Sequence, residues 1–201
     1  YAEDGTISKE WHHGQYMINH FQKVIDIAAK YQLTIKAHEP IKDTGLRRKY
    51  PNFISREGAK GQEFNGFSSN GVNHATDLPF TRLLSGPMDY TPGIFKLNNF
   101  RYTEPGSGDI DENAIVPSTI AKELALYVVY YSPMQMAADL PEHYMNHPEV
   151  FEFIKKVPVD WSKKIILNSE ISEYVTIARK DKNSDNWYIG GITDEKDRRF
   201  D

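Results

Sequence analysis

The sequence predicts an α/β chain: part of an α/β barrel, followed by the opening strands of an antiparallel β domain. Three observations predict it. An amphipathic run at 13–31 leads through a short turn into an apolar, strand-like run that ends in polar residues. The stretch 117–131 has strong helical periodicity. After Pro158 the texture changes to short β-rich runs separated by turn residues. Helix, turn, strand and then polar residues at the strand's C-terminal end is the order of a barrel unit.

Taken in order, Met17, Phe21, Val24, Ile25 and Ala28 fall on one face of a 3.6-residue helix, which predicts a helix over 13–31. Residues 33–37 read as a buried strand, stopped at His38 and Glu39 because Pro40 cannot donate to a ladder. Residues 55–62 resemble a short helix, 63–67 a strand or its mouth, and 78–84 a helix. Ser85 to Tyr90 (S-G-P-M-D-Y) reads as a strand end entering a loop. The stretch 96–114, with Pro105, Gly106 and Gly108, reads as an exposed loop. The helix over 117–131 has Pro117 in its first turn and Ile120, Leu124, Tyr127, Val128 and Tyr131 on one face. Residues 134–138 would be the last barrel strand. Residues 165–167, 174–179 and 187–192 read as strands, too few to close a sandwich. The expected division is a barrel part over 1–157 and the start of a β domain over 158–201.

The bulk properties exclude several classes. The 201 residues are 39% hydrophobic and 26% charged, which supports a packed core rather than disorder. A net charge of −4 gives no basic footprint for nucleic acid. The apolar runs are far too short to span a membrane. With no cysteine, disulfides and thiolate metal sites are ruled out. Aromatic residues reach 12%, enough for sugar-stacking platforms, although cores use the same rings.

The chemistry points to three glutamates: Glu39 in A-H-E-P, Glu57 in S-R-E-G and Glu63 in G-Q-E-F. Most glutamates are solvated surface residues. Glu39 differs because it directly follows a strand-like run, where barrels place catalytic groups. Glu57 could equally be an ordinary helix-face acid. Glu63 lies between Gly61 and Phe64, and partial burial there would favour the protonated form that a proton donor needs. Glycoside hydrolysis requires two carboxyl groups, and converging carboxylates also suit a hard cation. His38, beside Glu39, is a candidate donor to a sugar hydroxyl. There is no H-E-x-x-H, G-x-S-x-G or phosphate-binding glycine loop.

Several runs are familiar as a set: H-H-G-Q-Y-M-I-N-H (12–20), A-H-E-P-I-K-D-T-G-L-R-R-K-Y-P-N (37–52), S-R-E-G-A-K-G-Q-E (55–63), L-P-F-T-R-L-L-S-G-P-M-D-Y-T-P-G-I-F (78–95), L-A-L-Y-V-V-Y-Y-S-P-M-Q-M-A-A-D-L-P-E (124–142) and D-N-W-Y-I-G (185–190). Together they resemble glycoside hydrolase family 97, bacterial α-glucosidases and α-galactosidases typical of Bacteroides-type glycan use. The resemblance implies the C-terminal half of a (β/α)8 TIM barrel followed by the first strands of the last β domain. It implies a periplasmic or secreted enzyme acting on an α-glucoside or oligosaccharide. By motif, Glu63 would be the general acid and a Ca2+ ligand, Glu39 part of the base machinery and a Ca2+ ligand, and Glu57 a further Ca2+ ligand. His38 would contact the substrate. The spacings of 18 and 6 residues between the three glutamates agree with the calcium-dependent inverting branch. Retaining members lack the glutamate at the Glu39 position, so the resemblance favours inverting α-glucosidase. The alternatives are α-galactosidase and a catalytically incomplete carbohydrate- or calcium-binding module. The second base and a further calcium ligand would come from missing N-terminal segments of the parent chain, leaving little catalysis in these residues alone.

Overall fold

The computed structural model describes residues 5–7, 9–68, 70–98, 101–102 and 109–200. The first helix, α1 (Gln15–Lys30), buries Ile25 and Ala28 and half-buries Met17 and Phe21, while Val24 stays exposed. Its C-terminus closes as a Schellman motif. Gln32 takes a left-handed φ of 55°, with Leu33 N–H donating to Ala28 O and Gln32 N–H to Ala29 O. The chain then enters β1 (Ile35–Ala37). This strand is half-buried rather than buried, and Leu33 lies outside it in solvent.

A short helix, α2 (Leu46–Lys49), connects β1 to β2 (Phe53–Arg56). The two strands pair in parallel, with Ile35 opposite Phe53 and Ala37 opposite Arg56. The helix expected over 55–62 is therefore absent. Ser55 and Arg56 finish the strand begun by Phe53 and Ile54, and Gly58 at φ 68° turns the chain away. Nor is 63–67 a strand: Gln62–Gly66 forms a 3-10 turn.

Next come α3 (His74–Asp77) and two 3-10 turns, Leu78–Phe80 and Arg82–Ser85, in place of one helix over 78–84. Thr81, at φ −125°, breaks the helical path between them. Met88 then bridges Arg56 in parallel, and Met88 N–H donates to Tyr131 O at 3.0 Å. Four segments thus lie side by side in chain order: 35–37, 53–56, Met88 and Tyr131. The last is not 134–138, where Met134 and Met136 are exposed. Pro133 lacks a donor there, and the carbonyls of Met134 and Met136 accept from Ser132 Oγ and Tyr127 Oη instead of a ladder.

Within 96–114 the chain makes a small antiparallel pair, β3 (Arg101–Tyr102) with β4 (Ile110–Asp111), and buries Ala114. Pro105, Gly106 and Gly108 lie outside the described residues. The strongest helical pattern gives α4 (Ile120–Val129), shorter than 117–131 because Thr119 caps it, accepting from Lys122 N–H at 3.1 Å. Pro117 stands ahead of the cap. Two short helices follow, α5 (Pro141–Met145) and α6 (Pro148–Lys156). Each opens with a proline followed by glutamate, a start signal the sequence reading overlooked.

The C-terminal strands β5 (Trp161–Glu170), β6 (Tyr174–Asp181) and β7 (Trp187–Thr193) form one antiparallel sheet in that order. The sheet packs onto α4. Val175, Ile177 and Ile192 share a core with Leu126, Val129, Tyr130, Met88 and Tyr90. The approach is close: a Cβ on Gly190 would sit 2.8 Å from Val128 Cβ and 2.9 Å from Ala125 O. Arg179 ties the layers further, donating to the Val128 and Val129 carbonyls at the end of α4.

Candidate functional site

The site forms where β1 and β2 end. The ladder continues one residue beyond β2, with Glu57 N–H donating to Ala37 O at 2.8 Å. This sets Glu57 beside the residues that leave β1. Glu39 turns through a left-handed φ of 45°, unusual for a non-glycine residue and stranger still before Pro40. Its N–H donates to Glu57 Oε2 at 3.1 Å, so the turn is fastened to the neighbouring carboxylate. Such strain concentrates at functional sites.

Three predicted residues converge. His38, Glu57 and Glu63 each offer a ligand atom, and these atoms lie within 4.8 Å of one another. The Glu39 side chain is outside that group; only its backbone reaches it. Glu57 is 9% exposed. Glu63 is exposed rather than partly buried, because the 3-10 turn buries its neighbour Gln62 and turns Glu63 outward.

A buried scaffold that the sequence reading missed holds these groups. Asp89, 3% exposed, binds His38 Nε2 at 2.5 Å. Its other oxygen pairs with Lys36 Nζ at 2.8 Å, in ion-pair rather than hydrogen-bond geometry. Asp89 follows Met88 as Glu57 follows Arg56, and that strand-end position was its signal. Arg82 Nε donates to Glu57 O at 2.7 Å and fixes the backbone behind that carboxylate. The turn carrying Glu63 is pinned by Gln62, whose N–H donates to Tyr90 O and whose Nε2 donates to Glu123 Oε1 at 2.9 Å. Glu123 is fully buried. It also accepts from Ser118 Oγ and from the N–H groups of Gly93 and Ile94. Burial pushes its carboxyl above the ordinary range, against these four donors.

Chemically, two carboxylates this close suit a cation, which would offset their mutual repulsion. Their oxygens suit a hard ion such as calcium. His38 fits that role less well, being a nitrogen donor already engaged by Asp89.

Comparison with known proteins gives this constellation a family. The profile described as Glycoside hydrolase 97 matches residues 1–59, and the one described as Glycosyl-hydrolase 97 C-terminal, oligomerisation, matches 160–201. The chain belongs to glycoside hydrolase family 97. A family 97 enzyme from Pseudoalteromonas sp. strain K8, solved as a variant in complex with panose, is 46% identical over 98% of this chain, with a TM-score of 0.84. A retaining alpha-galactosidase of Bacteroides thetaiotaomicron is 38% identical over 86% of the chain. A probable retaining alpha-galactosidase of Streptomyces bingchenggensis is 30% identical over 85%. The chain spans 30% of the solved enzyme, and 26% and 24% of the two curated relatives. The three-stranded sheet β5–β7 lies in the segment matched to the family 97 C-terminal domain.

Proposed function

We propose that this chain carries the acid and cation-binding part of an inverting, calcium-dependent α-glucosidase of family 97. Its side-by-side segments would then belong to the C-terminal half of a (β/α)8 barrel. The observation that carries the reading is the convergence of Glu57 and Glu63 beside His38, with Glu39 fastened to Glu57 through its backbone. The likeness to an enzyme crystallised with panose, a trisaccharide of α-linked glucose, supports the substrate class.

In this reading Glu63 donates its proton to the glycosidic oxygen as the C–O bond breaks. Its exposed position gives a substrate access to it. Glu39 takes a proton from the water that attacks the opposite face of the anomeric carbon, which inverts the configuration. Inverting sites keep the acid and base roughly 6.5–9.5 Å apart to admit that water. His38, oriented by Asp89, binds a sugar hydroxyl. Calcium, held by Glu57 and Glu63 with Glu39, would supply fixed positive charge at the site. A cation beside Glu63 also favours its ionised form, which opposes proton donation. The buried Glu57 therefore carries the ion more directly, and the exposed Glu63 faces the sugar. The periplasmic or secreted location rests on the family alone.

A second reading, α-galactosidase, is favoured by the names of the two curated relatives. One experiment separates them. The full-length protein is given aryl α-glucoside and aryl α-galactoside, and the first-formed anomer is read by proton NMR. Preferred glucoside turnover with a β-anomer product is expected, with a loss of at least about 100-fold in kcat for Glu63→Gln. An α-anomer from galactoside would overturn the reading. Unchanged kcat in the variant would remove Glu63 from the acid role.

A further inference from the structure

We propose that the recess bounded by residues 40–43, the end of β2 and the turn Arg82–Ser85 is a binding site for a small carboxylate ligand. The recess has a volume of about 390 Å³, and its polar lining is His13, Lys42, Asp43, Arg56, Arg82 and Ser85. Its charges do not balance. Three guanidinium groups, from Arg47, Arg56 and Arg82, gather around one carboxylate. Asp43 Oδ2 lies 3.1 Å from Arg47 Nε and 4.0 Å from Arg56 Nη2. Lys42 adds a further positive charge at the exposed rim.

Arg82 does not need a ligand. It donates to the carbonyls of Glu57, Arg56, Gly86 and Pro87 and to Ser85 Oγ, all neutral acceptors. It is solvated by the protein but not neutralised. Burial, and then the nearby Arg56 charge, push Arg82 down to about 10, as expected where positive charge outweighs negative.

Arg56 is different. It is 7% exposed, and its Nη2 donates to Ser85 Oγ at 2.7 Å. Its Nε has no hydrogen-bond partner among the described residues. His13 Nδ1, in the lining of the same recess, also has none. Both atoms are sealed from solvent, so a ligand would meet Arg56 through Nη1, which lies beside Gly58 in the lining of the recess. The paired Nη groups of a guanidinium match the two oxygens of a carboxylate, which selects that class over a spherical anion.

The test is calorimetric titration of this chain with sodium acetate at constant ionic strength. Saturable one-to-one binding is expected, with a dissociation constant on the order of 1 mM or tighter. Lys42→Ala and His13→Ala, both at the edge of the recess, should each weaken it about threefold or more. Asp43→Asn keeps an oxygen for Gly45 N–H but removes the only negative charge among the described lining residues, and should tighten acetate binding several-fold. Arg56→Gln should abolish it, with circular dichroism reporting whether the fold persists. Absence of saturable binding in the parent chain would overturn the proposal. So would binding that none of Lys42→Ala, His13→Ala and Asp43→Asn changes.

Discussion

Residues 35–132 and residues 161–193 solve the burial problem in opposite ways. The first region uses very short parallel segments and buries polar side chains at or beside their ends (Ser55, Arg56, Glu57, Asp89 and Ser132) and in the turns and helix around them (Gln62, Arg82 and Glu123). The second uses three strands of ten, eight and seven residues, and its only buried charged side chain among the described residues is Arg179. One region is organised around positioning carboxylates, the other around covering α4. Chemistry is therefore expected to be sensitive in the first, and stability alone in the second.

The largest effect should come from Glu123, which holds the turn bearing Glu63 without touching the convergent trio. Glu123→Leu leaves Gln62, Ser118, Gly93 and Ile94 without their acceptor. A loss of about 3 kcal/mol or more in unfolding free energy is expected by chemical denaturation. A neutral result would show that the buried polar scaffold is dispensable.

Gly190→Ala probes the other region. The added Cβ meets Val128 and the Ala125 carbonyl below 3 Å, so β7 must move off α4. About 1–3 kcal/mol of destabilisation is expected, measured the same way. Calcium binding in the surviving folded fraction should be unchanged. Loss of calcium binding there would break the distinction between the two regions.

A smaller effect concerns Asp139. Burial pushes its carboxyl up, but His143 and the N–H groups of Lys96, Leu140 and Phe95 outweigh that and hold it below the usual value. A depressed folded value means that the stabilisation is present above the unfolded pKa, about 3.9, and is lost as pH falls through the lower folded value. Asp139→Asn should therefore lower the melting temperature at pH 7, with the difference from the parent shrinking below about pH 4. A pH-independent difference would assign the effect to packing.

The same contrast explains what was legible in the sequence. The antiparallel strands were readable because their partners are near in sequence and polar turns such as K-D-K-N-S-D-N mark their ends. The helix α1 and the strand-end placement of Glu39 were readable from periodicity and from a proline that stops the strand, whereas the local pattern left Glu57 as a helix-face acid. Parallel pairing is long-range, so local pattern alone points to a helix over 55–62 and a strand over 134–138, whereas the chain forms β2 at Phe53–Arg56 and sets Tyr131 beside Met88 through a single backbone bond. Asp89 and Glu123 were missed for a related reason. Their partners, His38 and Gln62, are 51 and 61 residues away, and no local pattern announces such a contact. The positive φ of Glu39 runs against the rule for residues before proline, and the turn is fastened by the Glu39 N–H bond to Glu57.

The central claim is that Glu57, just past the end of β2, and Glu63, in the 3-10 turn that follows, form a cation site. Calorimetric titration of calcium into this chain and into its Glu57→Gln variant tests it most directly. The account predicts saturable calcium binding in the parent chain and a loss of at least about tenfold in affinity in the variant, with the fold retained by circular dichroism. Equal calcium affinity in the two proteins, or none in either, would contradict it.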